Sequence, residues 1–349
     1  MRKGSPMEEI KVVLYGLGPI GQRIAKTILE KKGVTIVGAI DLDPAKVGRD
    51  LGEILGLDRK LGVTVTDNPD ELFAKIRADV AIVATTSYVR TVYDQVVRCI
   101  KAGMHVITTS EEMAYPWVNE PQLASEIDGL AKKHGVTVLG TGINPGYFMD
   151  AFPIILTALC RDVKRIEAVR AVPTGRRRAS FQRKIGTGMT PEEFKEKLAK
   201  GEITGHVGFK QSIALTAAAL GWKLDEIREL PPEPVVAEKE VKTTYTTVKP
   251  GQMLGYVAAA EGIKDGEVVI RYKLVMHAGV EEGYEEYIIE GTPSVRVRMS
   301  EFLGDWDTAH VVVNMIPRVI NAPPGLLTMK DMPLPGAVME DMRIFIKRD

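Results

Sequence analysis

Cysteine is nearly absent from the chain. Only Cys99 and Cys160 occur, far apart and without ligand spacing, which argues against a disulfide framework and a metal site and suits a reducing cytoplasm. Aromatic residues are also scarce, at 6%. Neither sign of charge is in excess, since 46 Lys plus Arg balance 46 Asp plus Glu. That balance removes the electrostatic footprint expected of a nucleic-acid partner or an anionic membrane surface. No apolar run approaches the roughly 18 residues needed to span a bilayer. The opening Met1–Met7 has no apolar stretch, so no signal peptide is expected, and Met7 can serve as the natural start. Internal repeats and low-complexity tracts are missing too.

What remains is a globular composition, 45% hydrophobic and 26% charged over 349 residues. That length is too great for one ordinary core and predicts more than one domain. The N-terminal part alternates short apolar runs with amphipathic segments. Ile10–Tyr15, Val34–Ile40, Val80–Thr85, His105–Thr109 and Val136–Leu139 read as strands buried on both faces. Ile20–Lys31, Pro69–Ile76, Val89–Ala102 and Glu120–His134 read as helices, the second opened by Asn68 as N-cap and Pro69 at its first position. Such alternation predicts an α/β, doubly wound parallel sheet.

Beyond Gly146 the pattern changes. Asp150–Cys160 reads as a helix and Val163–Val172 as a strand, and Thr190 to Glu193 forms a capping box for a helix ending at Lys200. Glu267–His277, Tyr284–Ile289 and Ser294–Met299 then predict an open, mostly antiparallel sheet in a second, α+β domain. Asp305–Asn321 is helical again, and the Pro-rich tail runs back toward the first domain. The expected boundaries are 1–148, 149–304 and 305–349.

Gly16-Leu17-Gly18-Pro19-Ile20-Gly21 is a G-x-G-x-x-G between a predicted strand and a predicted helix. Gly16 makes the tight turn, Gly18 admits a pyrophosphate close to the backbone, and Gly21 allows helix and strand to pack. Asp41 ends the second strand, 20 residues beyond Gly21, where it can accept hydrogen bonds from ribose hydroxyls. Strand, glycines and acid together predict a Rossmann dinucleotide-binding domain. Its coenzyme is NAD, with NADP left open because Lys46 and Arg49 lie nearby. Ala84, Thr85 and Thr86, with Ser87, end the fourth strand, where the nicotinamide-side ribose would lie.

Two segments aim at the chemistry. Ser110-Glu111-Glu112 ends the fifth strand, and its plain reading is an N-cap with two acids in a first helical turn. Gly140 to Gly146 ends the sixth, with Asn144 either a cap or a polar group for the substrate. Gly16–Gly21, Ser110-Glu111-Glu112, Gly140–Asp150, Thr187–Phe194, Gly205–Gly208 and Asn314–Pro333 together resemble the 2,4-diaminopentanoate dehydrogenase and amine dehydrogenase family, related to dihydrodipicolinate reductase. The resemblance covers nearly the whole chain. It implies oxidative deamination of an amine with NAD(P), reversible as reductive amination, with the catalytic glutamate at Glu111 or Glu112. A carboxylate suits that role because it attracts the ammonium, takes its proton and stabilises the iminium left when hydride departs.

Asn144, His206, His277 and Arg178 are further candidates for substrate binding. For either histidine alone a structural role is the commoner reading, and three consecutive arginines, Arg176 to Arg178, are more often a solvated loop. Rival enzymes fit less well. The chain lacks the His-His pair and Lys-x-Asp-x-Pro-Ser-Gly of dihydrodipicolinate reductase, the Glu-Lys-Pro of glucose–fructose oxidoreductases and the lysine of homoserine dehydrogenase. A non-catalytic nicotinamide sensor is the alternative of another class. The open sheet predicts a homodimer.

Overall fold

The structure, a computed structural model, describes residues 8–177, 179–203, 206–300 and 302–347. Met1–Met7, Arg178 and Gly205 lie outside them. Contacts divide the chain into two compact units, residues 1–147 with 303–349, and residues 148–302.

In the first unit, β1 (Ile10–Tyr15), α1 (Pro19–Leu29), β2 (Val34–Ile40), α2 (Leu51–Ile54), β3 (Val65–Thr66) and α3 (Pro69–Lys75) build one side of a sheet. The series β4 (Val80–Val83), α4 (Val89–Lys101), β5 (His105–Thr108), α5 (Pro121–His134) and β6 (Thr137–Gly140) builds the other. The chain later returns through a helix, Asp305–Ile320, to a last strand, Gly325–Leu327, which pairs with β6. All pairings are parallel, in the order Gly325–Leu327, β6, β5, β4, β1, β2, β3. Val80 to Val83 and Thr137 to Gly140 are buried throughout, as expected of strands with helices on both faces.

Register aligns the strand ends. Ile40, Tyr15, Val83, Thr108 and Gly140 form one row of paired residues across β2, β1, β4, β5 and β6. One step beyond that row stand Asp41, Gly16, Ala84, Thr109 and Thr141. The direction of strand addition reverses between β1 and β4, and crevices for ligands open at the carboxyl ends of such strands.

The second unit contains α6 (Ala151–Thr157), β7 (Asp162–Pro173), α7 (Ala179–Lys184), α8 (Pro191–Ala199), α9 (Phe209–Ala219) and β8 (Glu226–Val236). A small ribbon of β9 (Val241–Lys242) and β10 (Thr247–Val248) precedes β11 (Met253–Lys264), β12 (Glu267–His277), β13 (Tyr284–Thr292) and β14 (Val295–Ser300). The sheet order is β14, β13, β7, β12, β11, β8, antiparallel except for the parallel pair β7 and β12. Ile166, Ala168, Tyr272 and Tyr287 on one face pack with Phe209, Ile213 and Phe194 from α9 and α8. The other face carries Val169, Val275 and Ile288 among ion pairs such as Glu261 with Arg228 and Arg271, and Glu286 with Arg296.

Sequence reading passed over α9, β8 and β11. Most of Phe209–Ala219 is buried, Gln211, Ser212 and Thr216 included, so it shows no amphipathic stripe. In Met253–Lys264, β11 is buried on both faces over much of its length, so alternation is weak.

Leu326 in the last strand is buried in the first unit's core. Leu326→Ala is therefore expected to cost about 2–4 kcal/mol in urea unfolding of the transition that includes the N-terminal sheet. A loss below about 1 kcal/mol would show that the returning strand adds little to that core.

Candidate active site

Gly16 has φ +97°, and a Cβ there would lie 2.5 Å from the Ala84 carbonyl oxygen. At Gly21 a Cβ would lie 2.0 Å from the Gly16 carbonyl oxygen. Both glycines are therefore demanded by close packing of backbone on backbone. Gly18 differs, because a Cβ there would meet nothing within 4 Å. Its freedom serves open space in front of the turn, where a phosphate can approach the backbone. Gly18 is also the N-cap of α1, makes no side-chain cap, and is followed by Pro19 at the first helical position. The early N–H groups of α1 thus point outward at the positive end of the helix, where an anion is favoured. These residues fit the diphosphate of a dinucleotide.

Asp41 is held in the same turn. Its Oδ2 accepts from Leu17 N–H at 2.7 Å and from Lys46 Nζ at 3.1 Å, and its Oδ1 accepts from Asp43 N–H at 2.9 Å. Burial pushes this carboxyl up, but the N–H groups of Asp43 and Leu17 and the Lys46 ammonium outweigh it and hold it below the usual carboxylate range. Asp41 stays ionised and braces the glycine turn.

A cleft of about 300 Å³ opens beside this turn. Ile20, Ala84, Thr85, Thr86 and Ser87 line one part, and Thr109, Glu111, Gly142, Ile143, Asn144, Pro145, Asp305 and Thr308 line the rest. Among the described lining residues two are acids and none is basic. Asp305 faces Arg23 at 3.5 Å. Glu111 begins a short 3-10 turn, Glu111–Ala114, rather than the capped helix expected, and the Ser110 side chain makes no cap. The turn is pressed against β6, where a Cβ on Gly140 would lie 2.1 Å from the Met113 carbonyl oxygen.

The two adjacent acids separate here. Glu111 lines the cleft, while Glu112 is buried, its Oε2 accepting from Val89 N–H at 2.8 Å and its Oε1 from Asn119 Nδ2 at 2.7 Å.

The expected site residues Ile20, Ala84, Thr85, Thr86, Glu111 and Asn144 thus share one cleft, next to the turn built by Gly16, Gly18, Pro19 and Gly21 and braced by Asp41. Asp305 and Thr308, from the returning helix, were missed by sequence reading. The acidic first turn of that helix was visible, but nothing local joins it to β5.

His206 and His277 belong to the second unit. Burial, with Arg170 and Lys184 adding to it, pushes the His206 imidazole down to about 3, and its ring packs edge-on against Phe209. Burial also lowers His277, whose Nδ1 accepts from Gly279 N–H at 3.1 Å. Both rings are neutral near pH 7. Arg178 lies outside the described residues.

The same unit holds a cation that sequence reading overlooked. Arg170 is 8% exposed, with Nε 3.2 Å from the buried Glu285 carboxylate and the guanidinium 5.2 Å over the Phe148 ring. Its Nη1 is buried, with no hydrogen-bond partner among the described residues. The signal was an arginine in step with Ile166 and Ala168 on the apolar face of β7.

Gly18→Ala is expected to leave the melting temperature within about 3 °C of wild type, because the site has room and an ordinary φ. ADP-ribose binding by calorimetry is expected to weaken at least about tenfold, because the methyl group occupies the phosphate approach. Unchanged binding would remove the glycine turn from the coenzyme site.

Residues 147–348 match the family described as 2,4-diaminopentanoate dehydrogenase C-terminal domain, and residues 10–114 match that described as dihydrodipicolinate reductase, N-terminus. The chain is 37% identical to a 2,4-diaminopentanoate dehydrogenase from Acetoanaerobium sticklandii, over 98% of this chain and 99% of that one. It is 27% identical to an amine dehydrogenase from Streptomyces virginiae, over 94% and 98%. Among solved structures, an amine dehydrogenase from Mycobacterium smegmatis superimposes with a TM-score of 0.82 at 30% identity, covering 95% of this chain and 98% of that one. The chain belongs to the 2,4-diaminopentanoate dehydrogenase family, oxidoreductases that act on amines.

Proposed function

We propose that the chain catalyses reversible oxidative deamination of a small amine to the ketone and ammonia, with Glu111 as the group that handles the substrate nitrogen. The observation that carries this reading is a cleft at the sheet's carboxyl edge lined by Glu111 and Asp305 and by no described basic residue. Such a lining attracts an ammonium and would repel a phosphate or carboxylate at the same point. Bound nicotinamide coenzyme supplies the acceptor for the hydride leaving the substrate carbon. Glu111 draws the ammonium in, removes its proton to expose the nitrogen lone pair, and lies against the cation that develops as the carbon is oxidised. That proton passes to solvent, and the carboxylate so restored takes a proton from the water that attacks the carbon and returns it to the nitrogen as ammonia leaves. Asn144, on the facing loop, orients the nitrogen or that water.

Gly16, Gly18, Pro19, Ile20 and Gly21 are assigned to the diphosphate, Asp41 to the adenosine ribose, and Ala84, Thr85 and Thr86 to the nicotinamide side. Asp41 favours NAD. Lys46, 3.1 Å from Asp41, partly neutralises that acid and keeps NADP within reach.

The substrate is 2,4-diaminopentanoate or a short alkylamine. His206 and His277 are kept as neutral substrate-side groups of the second unit. That unit is assigned to substrate recognition and assembly, residues 305–349 to completion of the first. The outer face of the second sheet, with charges of both signs among valines, supports a homodimer, because a two-fold interface needs both signs on one patch. Free Cys99 and Cys160 suit the cytoplasm.

The test mixes protein with NAD or NADP and either 2,4-diaminopentanoate or 2-aminopentane, and follows the reduced-coenzyme absorbance. Turnover is expected with at least one of the two amines. Glu111→Gln is expected to lose on the order of 10³-fold in kcat while ADP-ribose binding persists. Coenzyme binding without turnover of either amine would favour a nicotinamide sensor instead.

Sedimentation at micromolar concentration is expected to give a dimer. A monomer there would overturn the assignment of the open sheet face.

A further inference from the structure

Glu112 makes three bonds that a bystander acid would not need. Its two carboxylate oxygens take Val89 N–H and Asn119 Nδ2 at 2.8 and 2.7 Å, and its own N–H donates to the Ser87 carbonyl at 3.0 Å. Val89 is the first residue of α4, and the N-cap Tyr88 supplies no side-chain cap. The opening N–H groups of a helix need acceptors, and a carboxylate there is further stabilised by the helix dipole. Here the acceptor comes from the next turn of the fold.

The partners matter more than the cap. Ala84, Thr85, Thr86 and Ser87 form one wall of the cleft, and Glu111 belongs to another. Ser87 ends the first wall, Val89 follows it as the first residue of α4, and Glu112 is the residue after Glu111. One side chain and its own peptide therefore tie the two walls together. Thr109 N–H, bonded to the Val83 carbonyl at 3.1 Å, fixes the same pair of turns one step lower.

We infer that Glu112 is a positioning residue for the deamination, a clamp that sets Glu111 at a fixed distance from the wall formed by residues 84–87. This rests on the reading of Glu111 given above. The two acids then have opposite requirements. Glu111 needs a charge, because it must accept a proton. Glu112 needs only acceptor and length. A glutamine at 112 can keep both bonds, its Oε1 taking Val89 N–H and its Nε2 donating to Asn119 Oδ1 after the Asn119 amide turns over. An alanine keeps neither.

The experiment compares Glu112→Ala, Glu112→Gln, Asn119→Ala and Glu111→Gln in kcat, amine KM, melting temperature and ADP-ribose affinity. Glu112→Ala is expected to lower kcat on the order of 10²-fold through misplacement of Glu111. ADP-ribose affinity should hold, since the glycine turn and Asp41 make no bond to Glu112. Glu112→Gln is expected to retain the rate to within about tenfold, the worth of one weakened hydrogen bond. A normal kcat in Glu112→Ala overturns the clamp. So does a Glu112→Gln variant as inactive as Glu111→Gln, because charge at 112 would then be what the chemistry needs. If Glu112→Ala does not fold, Asn119→Ala decides: lowered kcat at an unchanged melting temperature supports the clamp, and unchanged kcat overturns it. If the wild type oxidises no amine, the reading of Glu111 fails separately. The clamp is then judged by hydrogen exchange at the amides of Val89 and residue 112 in Glu112→Ala (or Asn119→Ala), where lost protection supports it and retained protection overturns it.

Discussion

The parallel sheet of the first unit buries its strands between helices, and this one constraint organises the site. Its strand interiors have no room for exposed polar chemistry, so functional groups collect where the chain leaves the sheet. Register decides which of these exits are neighbours. The row Ile40, Tyr15, Val83, Thr108, Gly140 makes five turns emerge at one level, although they are spread over more than a hundred positions of sequence. A slip by one residue in any pairing would lower one turn relative to the rest and reverse its side chains.

Close backbone contact then fixes the details. Gly16, Gly21 and Gly140 each sit where an added methyl group would strike a carbonyl. The first two shape the turn in front of α1, and the third lets β6 run under the 3-10 turn that carries Glu111. Buried carboxylates complete the frame from within. Asp41 braces the glycine turn and Glu112 the turn beside Glu111, each accepting from a peptide N–H of another segment. Acids around the cleft are therefore of two kinds, those consumed by the scaffold and those turned toward the cleft.

Much of the first unit was legible because its signals are local. Continuous apolar runs gave β1 and β2 with their observed bounds, and Asn68 with Pro69 opens α3 as the pattern indicated. The glycine spacing and Asp41 could be interpreted because the mechanical reason for each lies within one strand–turn–helix unit. Glu111 and Glu112 could not be separated in sequence, since a short 3-10 turn sends neighbours in directions that no periodicity encodes. Asp305, Thr308, Arg170 and Glu285 were invisible as site or core groups for a related reason. Arg170 and Glu285 face each other only through the pairing of β7 with β13, and a residue's role there depends on a partner more than a hundred positions away. In the second unit, α9 and β11 escaped because burial on several sides erases the contrast that pattern reading needs.

The last strand of the first sheet, Gly325–Leu327, is made only after the whole second unit has been synthesised. On the ribosome, β6 therefore waits with an open edge while roughly half the polypeptide emerges, whereas residues 148–302 form a continuous stretch that can collapse as soon as it is out. Birth order and folding order are inverted: the middle of the chain can be finished before its beginning. For that interval β6 exposes unpaired peptide groups of the kind that recruit stray strands, which makes prompt arrival of the carboxyl-terminal segment a matter of solubility as well as of shape.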